Sequence, residues 1–140
     1  DPVVAGSNLT YTVKVTNIGD VPLTGLVVKS LITTPLDGAT VAPGPITVGG
    51  FAWAGETAIA KVDVSVDNGA TWQPARLVGA AVPYAWRRFE FTFTATTPET
   101  RTILSRATDA KGQAQPVVPQ WNPSGYLWNA PDTIRVEVKA

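Results

Sequence analysis

Chemistry in this chain has to start from carboxylates and hydroxyls. The sequence contains no histidine, no cysteine and no methionine. That removes imidazole bases, thiolate nucleophiles and the commonest ligands of zinc, copper and iron. The densest grouping of what remains is Ser65 to Trp72, SVDNGATW, where Asp67 is flanked by Ser65 and Thr71, with Asp63 just upstream. Two carboxylates held about 5–10 Å apart could cleave a glycosidic bond, one as acid and the other as nucleophile or base. Asp63 and Asp67 alternate with Val62, Val64 and Val66, however, so a solvated strand face accounts for them first. Glu56, Glu90, Glu99 and Asp109 are scattered, and no spacing pairs them. A calcium site built on Asp67 and Asn68 lacks the oxygen ligands that ion requires. No catalytic, cofactor-binding or metal-ligating residue is therefore assigned.

The same stretch reads better as a turn. Asn68-Gly69 between two alternating runs suits the positive φ angles of a tight hairpin, or of a longer bulged loop. Asp67 can accept backbone N–H bonds across the turn, Ser65 and Thr71 can tie the strands, and Trp72 can cover the base. With Gly69 these form the structural hairpin set. The pattern resembles the Asp-box of sialidases, which recurs at propeller blade edges away from the catalytic centre. A single copy cannot make a propeller.

The rest of the chain supplies the scaffold. At 140 residues, 44% hydrophobic and 16% charged, it can bury one ordinary core. Eleven basic and eleven acidic residues cancel, so no global field draws nucleic acid or an acidic surface. No apolar run reaches the roughly 18 residues of a membrane-spanning helix. Nothing resembles a signal peptide, and the opening DPVVAG reads like an excised domain or a mature chain. Period-two alternation dominates: Leu9, Tyr11, Val13 and Val15; Val62, Val64 and Val66; Phe89, Phe91 and Phe93; Ile134, Val136 and Val138. Strands are expected near 8–17, 22–34, 46–54, 59–67, 71–77, 86–96, 101–109 and 133–139, broken by twelve Pro and twelve Gly. Short strands with turns at such intervals predict an all-β antiparallel sandwich. Residues 111–131 read as a long ordered loop.

Five tryptophans could form a sugar- or base-stacking platform. The expectation is instead that Trp53, Trp72 and Trp86 fill the sandwich core, each indole N–H finding a carbonyl. Trp121, Tyr126 and Trp128, in the long loop, are candidates for packing at an interface, where aromatics are enriched. The run LTYTVKVTN, with Tyr11 and Val13, could pair with another chain if it is an edge strand. Asn8-Leu9-Thr10 is a glycosylation sequon of low specificity.

From about Val28 onward, VKSLITTPLDGATV, GFAWAGE, IAKVDVSVDNGATWQPARL, AWRRFEF, LSRATDAKGQAQP, WNPSGYLWNA and IRVEV resemble, in order, the C-terminal dimerisation domain of sulfite oxidase-type molybdenum enzymes. That resemblance implies an immunoglobulin-like sandwich over residues 28–140, whose work is joining subunits. The family's molybdenum–pterin cofactor is held through a cysteine thiolate in a separate catalytic domain, so no cofactor is expected on this chain. In animal sulfite oxidases an arginine entering the last strand reaches the substrate pocket, and Thr133 falls at that place here. Arg106, Asp109 and Gln115 match the family run and are read as turn and strand ties. Residues 1–27 resemble the opening of DUF11-type repeats of bacterial and archaeal surface proteins, which implies extra N-terminal strands on the same sandwich. The resemblances favour a periplasmic, secreted or cell-surface setting.

The leading expectation is thus a non-catalytic module that pairs with itself as a homodimer or higher homo-oligomer, attached in its parent protein to a molybdenum-cofactor domain. The alternatives are an extracellular filament module assembling through its N-terminal strand, and a carbohydrate-binding module. The last needs two exposed, coplanar tryptophans. Neither nucleic acid nor membrane insertion enters any of these readings.

Overall fold

The structure, a computed structural model, describes residues 27–118 and 128–139. Within them the chain runs β1 (Lys29–Thr34), β2 (Thr40–Val41), β3 (Gly44–Trp53), β4 (Ile59–Ser65), β5 (Gln73–Pro74), β6 (Arg76–Val78), β7 (Arg87–Ala95), β8 (Glu99–Asp109) and β9 (Asp132–Val138). No helix occurs among the described residues. The strands form a four-stranded sheet in the order β1-β3-β7-β6 and a five-stranded sheet in the order β2-β9-β8-β4-β5. This is an immunoglobulin-like antiparallel β-sandwich, as expected, with a short parallel β2–β9 pairing added at one edge.

Alternation decides which side chains face inward. Val62 and Val64 from β4, Ile134, Val136 and Val138 from β9, Ile103 and Ala107 from β8, and Val48 and Ala52 from β3 are buried between the sheets. Phe89 is fully buried, whereas Phe91 and Phe93 are only partly so and pack on the margin of the core. Gly50 is required where it stands: a Cβ there would lie 2.0 Å from the Leu31 carbonyl oxygen and 2.7 Å from the Phe89 ring. β1 and the central phenylalanine both close over this one residue.

Several expectations are corrected. The strand expected at 71–77 divides at Ala75. Pro74 pairs with Asp63 of β4 in one sheet, and Arg76 pairs with Glu90 of β7 in the other. The Ala75 amide donates to the Val62 carbonyl (2.8 Å) at the crossing. β2, two residues long, falls in a Pro- and Gly-rich stretch that carries no strand pattern. The strand expected at 22–34 is regular only over Lys29–Thr34 among the described residues. The strand at 8–17, with Tyr11 and Val13, and the loop residues Trp121 and Tyr126 lie outside the described residues.

Candidate assembly surfaces

The Ser65–Trp72 stretch closes the β4–β5 hairpin through a loop longer than a two-residue turn. Asn68 and Gly69 both take positive φ, 59° and 87°, a conformation Asn and Gly adopt at least cost. Ser65 Oγ donates to Asp67 Oδ1 (2.7 Å) and accepts from the Gly69 amide (2.8 Å). Thr71 donates twice to Asp67, from its amide to Oδ1 (2.9 Å) and from its hydroxyl to Oδ2 (2.5 Å). The Trp72 indole N–H donates to the Gly69 carbonyl (3.1 Å). Led by the Thr71 hydroxyl and amide and then Ser65, these donors hold the Asp67 carboxyl down at about 2. They stabilise its charged form. The Arg106 guanidinium lies 4.5 Å over the Trp72 ring and 3.5 Å from Asp63, which Lys61 also meets at 2.9 Å.

Every carboxylate that chemistry might recruit here is already tied. Asp109, buried, accepts from the Lys111 and Gln113 amides (2.9 and 2.8 Å) and from the Thr57 hydroxyl (2.9 Å). Beside the hairpin an open groove of about 280 Å³ brings Asp67 and Glu99 to one wall. Glu99 is paired with Arg101 at 2.7 Å, and Asp67 is saturated by the turn. No group of three or more Asp and Glu that could hold a metal occurs among the described residues.

Gln115 does more than its sequence context indicated. Its side chain is buried, and Oε1 accepts from the Ala107 amide (2.9 Å) and the Ser30 hydroxyl (2.6 Å). Its Nε2 donates to the carbonyls of Asn129 (3.1 Å) and Ala130 (2.7 Å). Ser105 Oγ completes the chain by donating to Ser30 Oγ (2.9 Å). One amide thus joins β1, β8 and the segment that leads into β9. Just before that segment Trp128 stands 57% exposed, and Val117 and Val118, which follow Gln115, are exposed as well.

The aromatic expectation fails in an informative way. None of Trp53, Trp72 and Trp86 lies in the core. Trp53, at the end of β3, and Trp86, just before β7, stack on the outer face of the four-stranded sheet, with centroids 5.2 Å apart and planes inclined by 22°. Phe51 meets Trp86 from the side at 6.0 Å. Trp86 is 61% exposed, Leu31 lies across from Phe51 on β1, and Val82 and Tyr84 are exposed on the approach to Trp86. The opposite end of this face is a shelf of Thr33, Thr47 and Thr92. Arg76 and Arg88 both pair with Glu90 between the two ends. Sequence reasoning missed this surface because it is assembled by strand register rather than by neighbouring residues. The outer face of the five-stranded sheet, by contrast, carries Lys61, Asp63, Arg106, Thr133, Arg135 and Glu137. There Trp72 lies under the Arg106 guanidinium, and Asp63, expected on a solvated face, is buried beside it at 5% exposure.

A sandwich with tied carboxylates and an exposed aromatic sheet face has the character of an assembly domain. The family model of the Mo-co oxidoreductase dimerisation domain matches residues 21–139, and the chain belongs to that family. The match begins at Val21, ahead of the boundary expected at Val28. Over 112 residues the chain is 40% identical to the sulfite oxidase of Gallus gallus, covering 75% of this chain and 24% of that protein. Over 121 residues it is 39% identical to the mitochondrial sulfite oxidase of Homo sapiens, covering 81% of this chain and 22% of that one. Among solved structures, the sulfane dehydrogenase SoxCD of Paracoccus pantotrophus superposes with a TM-score of 0.69 at 30% identity, over 82% of this chain and 33% of that chain. The chain thus spans less than a quarter of the length of the two sulfite oxidases.

The residues here do not fit a molybdenum cofactor. A thiolate ligand has no source in a sequence without cysteine, and among the described residues Asp67, Glu99 and Asp109 are held in structural bonds.

Proposed function

We propose that this domain joins two copies of a molybdenum oxidoreductase-like protein and performs no chemistry of its own. The observation that carries the reading is the match of residues 21–139 to the dimerisation-domain family. It is supported by an exposed aromatic surface and by the absence of any histidine or cysteine. The cofactor and the reaction would belong to a separate domain of the parent protein. Thr133, exposed at the start of β9, would offer that domain a hydroxyl where animal relatives place an arginine.

Trp128, with Trp121 and Tyr126, is one proposed contact surface, and the outer face of the four-stranded sheet is another. Residues 1–27 are proposed, from their alternation, to add strands to the same sandwich. The carbohydrate reading loses its main support. Trp53 and Trp86 cover one another instead of lying side by side, so the pair offers no coplanar platform.

Solution mass by light scattering across a wide concentration range tests the proposal. A stable mass of twice 14.8 kDa supports pairing. A monomer at every concentration, or open-ended growth, counts against it.

A further inference from the structure

Resting on that reading of the domain as a self-pairing module, we infer that the second copy docks on the outer face of the β1-β3-β7-β6 sheet, with Trp86 of each copy seated in the hollow over Gly49 of the other. The face carries both halves of such a contact. Trp86 is the knob, 61% exposed and propped by its stack on Trp53. The hole is a hollow of about 140 Å³ floored by Gly49 and walled by Thr33, Thr47, Phe51, Arg88 and Glu90. A cavity of about 150 Å³ takes a benzene ring, so the hollow matches an aromatic side chain in scale. It exists because Gly49 points outward with no side chain: a Cβ there would meet only the Phe89 carbonyl oxygen, at 3.8 Å. Its neighbour Gly50 is excluded from carrying one by the core; Gly49 is under no such constraint.

The geometry suits a two-fold axis. Gly49 pairs with Glu90, Phe51 with Arg88, and Ala52 with Arg87 along β3 and β7. Hence Trp86 lies level with Trp53, and Phe51 stands midway between knob and hole. An axis lying in the interface and bisecting the line from Trp86 to Gly49, four residues along the strands and one strand across, is inclined by about 20° from the perpendicular to the strands and brings each Trp86 over the other copy's Gly49. Such an interface is self-complementary, as an isologous contact must be. Strands of six, ten, nine and three residues, about 4.8 Å apart and rising about 3.4 Å per residue, give a face of roughly 450 Å² in projection. Side-chain relief and the exposed Val82 and Tyr84 beside Trp86 extend it towards the lower end of specific interfaces, about 600 Å² per partner. Its central side chains are Trp, Phe and Arg, the types enriched in such centres. Glu90 pairs with both arginines, which leaves one net positive charge per copy at the rim of this face, so the dimer should tighten as salt screens the two copies.

The test uses the full chain and reads the dimer dissociation constant by sedimentation equilibrium. Trp86→Ala and Gly49→Ile are each expected to weaken the dimer by about thirtyfold or more, the loss of a central aromatic anchor. Lys61→Ala, on the outer face of the other sheet, is expected to leave it unchanged. Because the two sites touch each other, the double variant should be about as weak as either single one. Trp86 is exposed and Gly49 opens to solvent, so both variants should keep the cooperative unfolding of the wild type. If Gly49→Ile misfolds, Trp86→Ala alone decides. Wild-type affinity in Trp86→Ala, dissociation by Lys61→Ala alone, or additive losses in the double variant would each overturn the docking geometry and leave self-pairing intact. A wild type that never dimerises defeats the pairing itself.

Discussion

Trp86 stacks on Trp53 outside the core, at a centroid separation of 5.2 Å, and it is strand pairing that puts the two rings together. Ala52 pairs with Arg87, so the residues just beyond each end of that pair are neighbours on one face. An offset stack of this kind contributes about 0.5–1.5 kcal/mol beyond the area it covers, and here it holds a large ring rigid in solvent.

Two indoles this close couple their electronic transitions. Far-ultraviolet circular dichroism should therefore show an exciton couplet superposed on the β-sheet signal. Trp86→Ala and Trp53→Ala should each abolish the couplet, whereas Trp72→Ala and Trp128→Ala should leave it. A spectrum indifferent to Trp86→Ala would mean that the rings do not stack in solution.

The adjacent glycines of β3 should respond oppositely to a single methyl group. In Gly50→Ala the new carbon meets the Leu31 carbonyl and the Phe89 ring at distances no real contact shows, forcing β1 away from β3. Overpacking of this kind typically costs about 1–3 kcal/mol. With a backbone carbonyl as the obstacle, a loss at the top of that range or failure to fold is expected. Gly49→Ala has room, and relieving a strand glycine should gain about 0.5–1 kcal/mol. Urea denaturation of both variants at the lowest workable concentration, where association does not enter, checks the pair.

Gln115 should be among the least replaceable polar residues. Gln115→Leu keeps the volume but strands the Ala107 amide, which loses its acceptor, while the Ser30 hydroxyl can still donate to the Ser105 carbonyl (3.0 Å). It also leaves the Asn129 and Ala130 carbonyls without their donor. A buried unsatisfied group costs about 1–3 kcal/mol, so a total near 3 kcal/mol is expected, read as a lower urea midpoint at unchanged slope. The segment before β9 loses its tether in the same variant, and limited proteolysis near Trp128 should accelerate. Unchanged cleavage there would show that the tether is elsewhere.

How far the sequence disclosed all this depends on separation along the chain. Alternation at Val62 and Val64, and at Ile134, Val136 and Val138, placed those strands and their buried faces, because period two is a local signal. The hairpin set Ser65, Asp67, Gly69, Thr71 and Trp72 was legible for the same reason: its bonds close within one short stretch. The Ser30–Gln115 bond spans 85 residues, and no local pattern announces it. The Trp53–Trp86 stack was misread as core because a large ring near a strand end can face either way. Only the register of β3 on β7 decides. The crossing at Ala75 was missed because both halves of the run read as strand, though they serve different sheets.

The hairpin carboxylate makes one pH-dependent prediction. Asp67 is held at about 2 against an ordinary 3.8, chiefly by the Thr71 hydroxyl and amide and then by Ser65. The folded state therefore binds its proton less readily than the unfolded chain, and stability falls wherever the unfolded chain takes up that proton first. The contribution is fully present above about 4, declines as pH drops from about 4 towards 2, and is gone below that. Asp67→Asn lacks the titration but keeps an amide oxygen for the Thr71 donors. The stability difference between wild type and Asp67→Asn should thus be constant from neutrality down to about pH 5 and shrink between about pH 4 and 2. Urea midpoints for both proteins across that range measure it. Other carboxylates titrate in both proteins and cancel in the difference. A gap that stayed constant down to pH 2 would show that the turn does not favour the ionised form of Asp67.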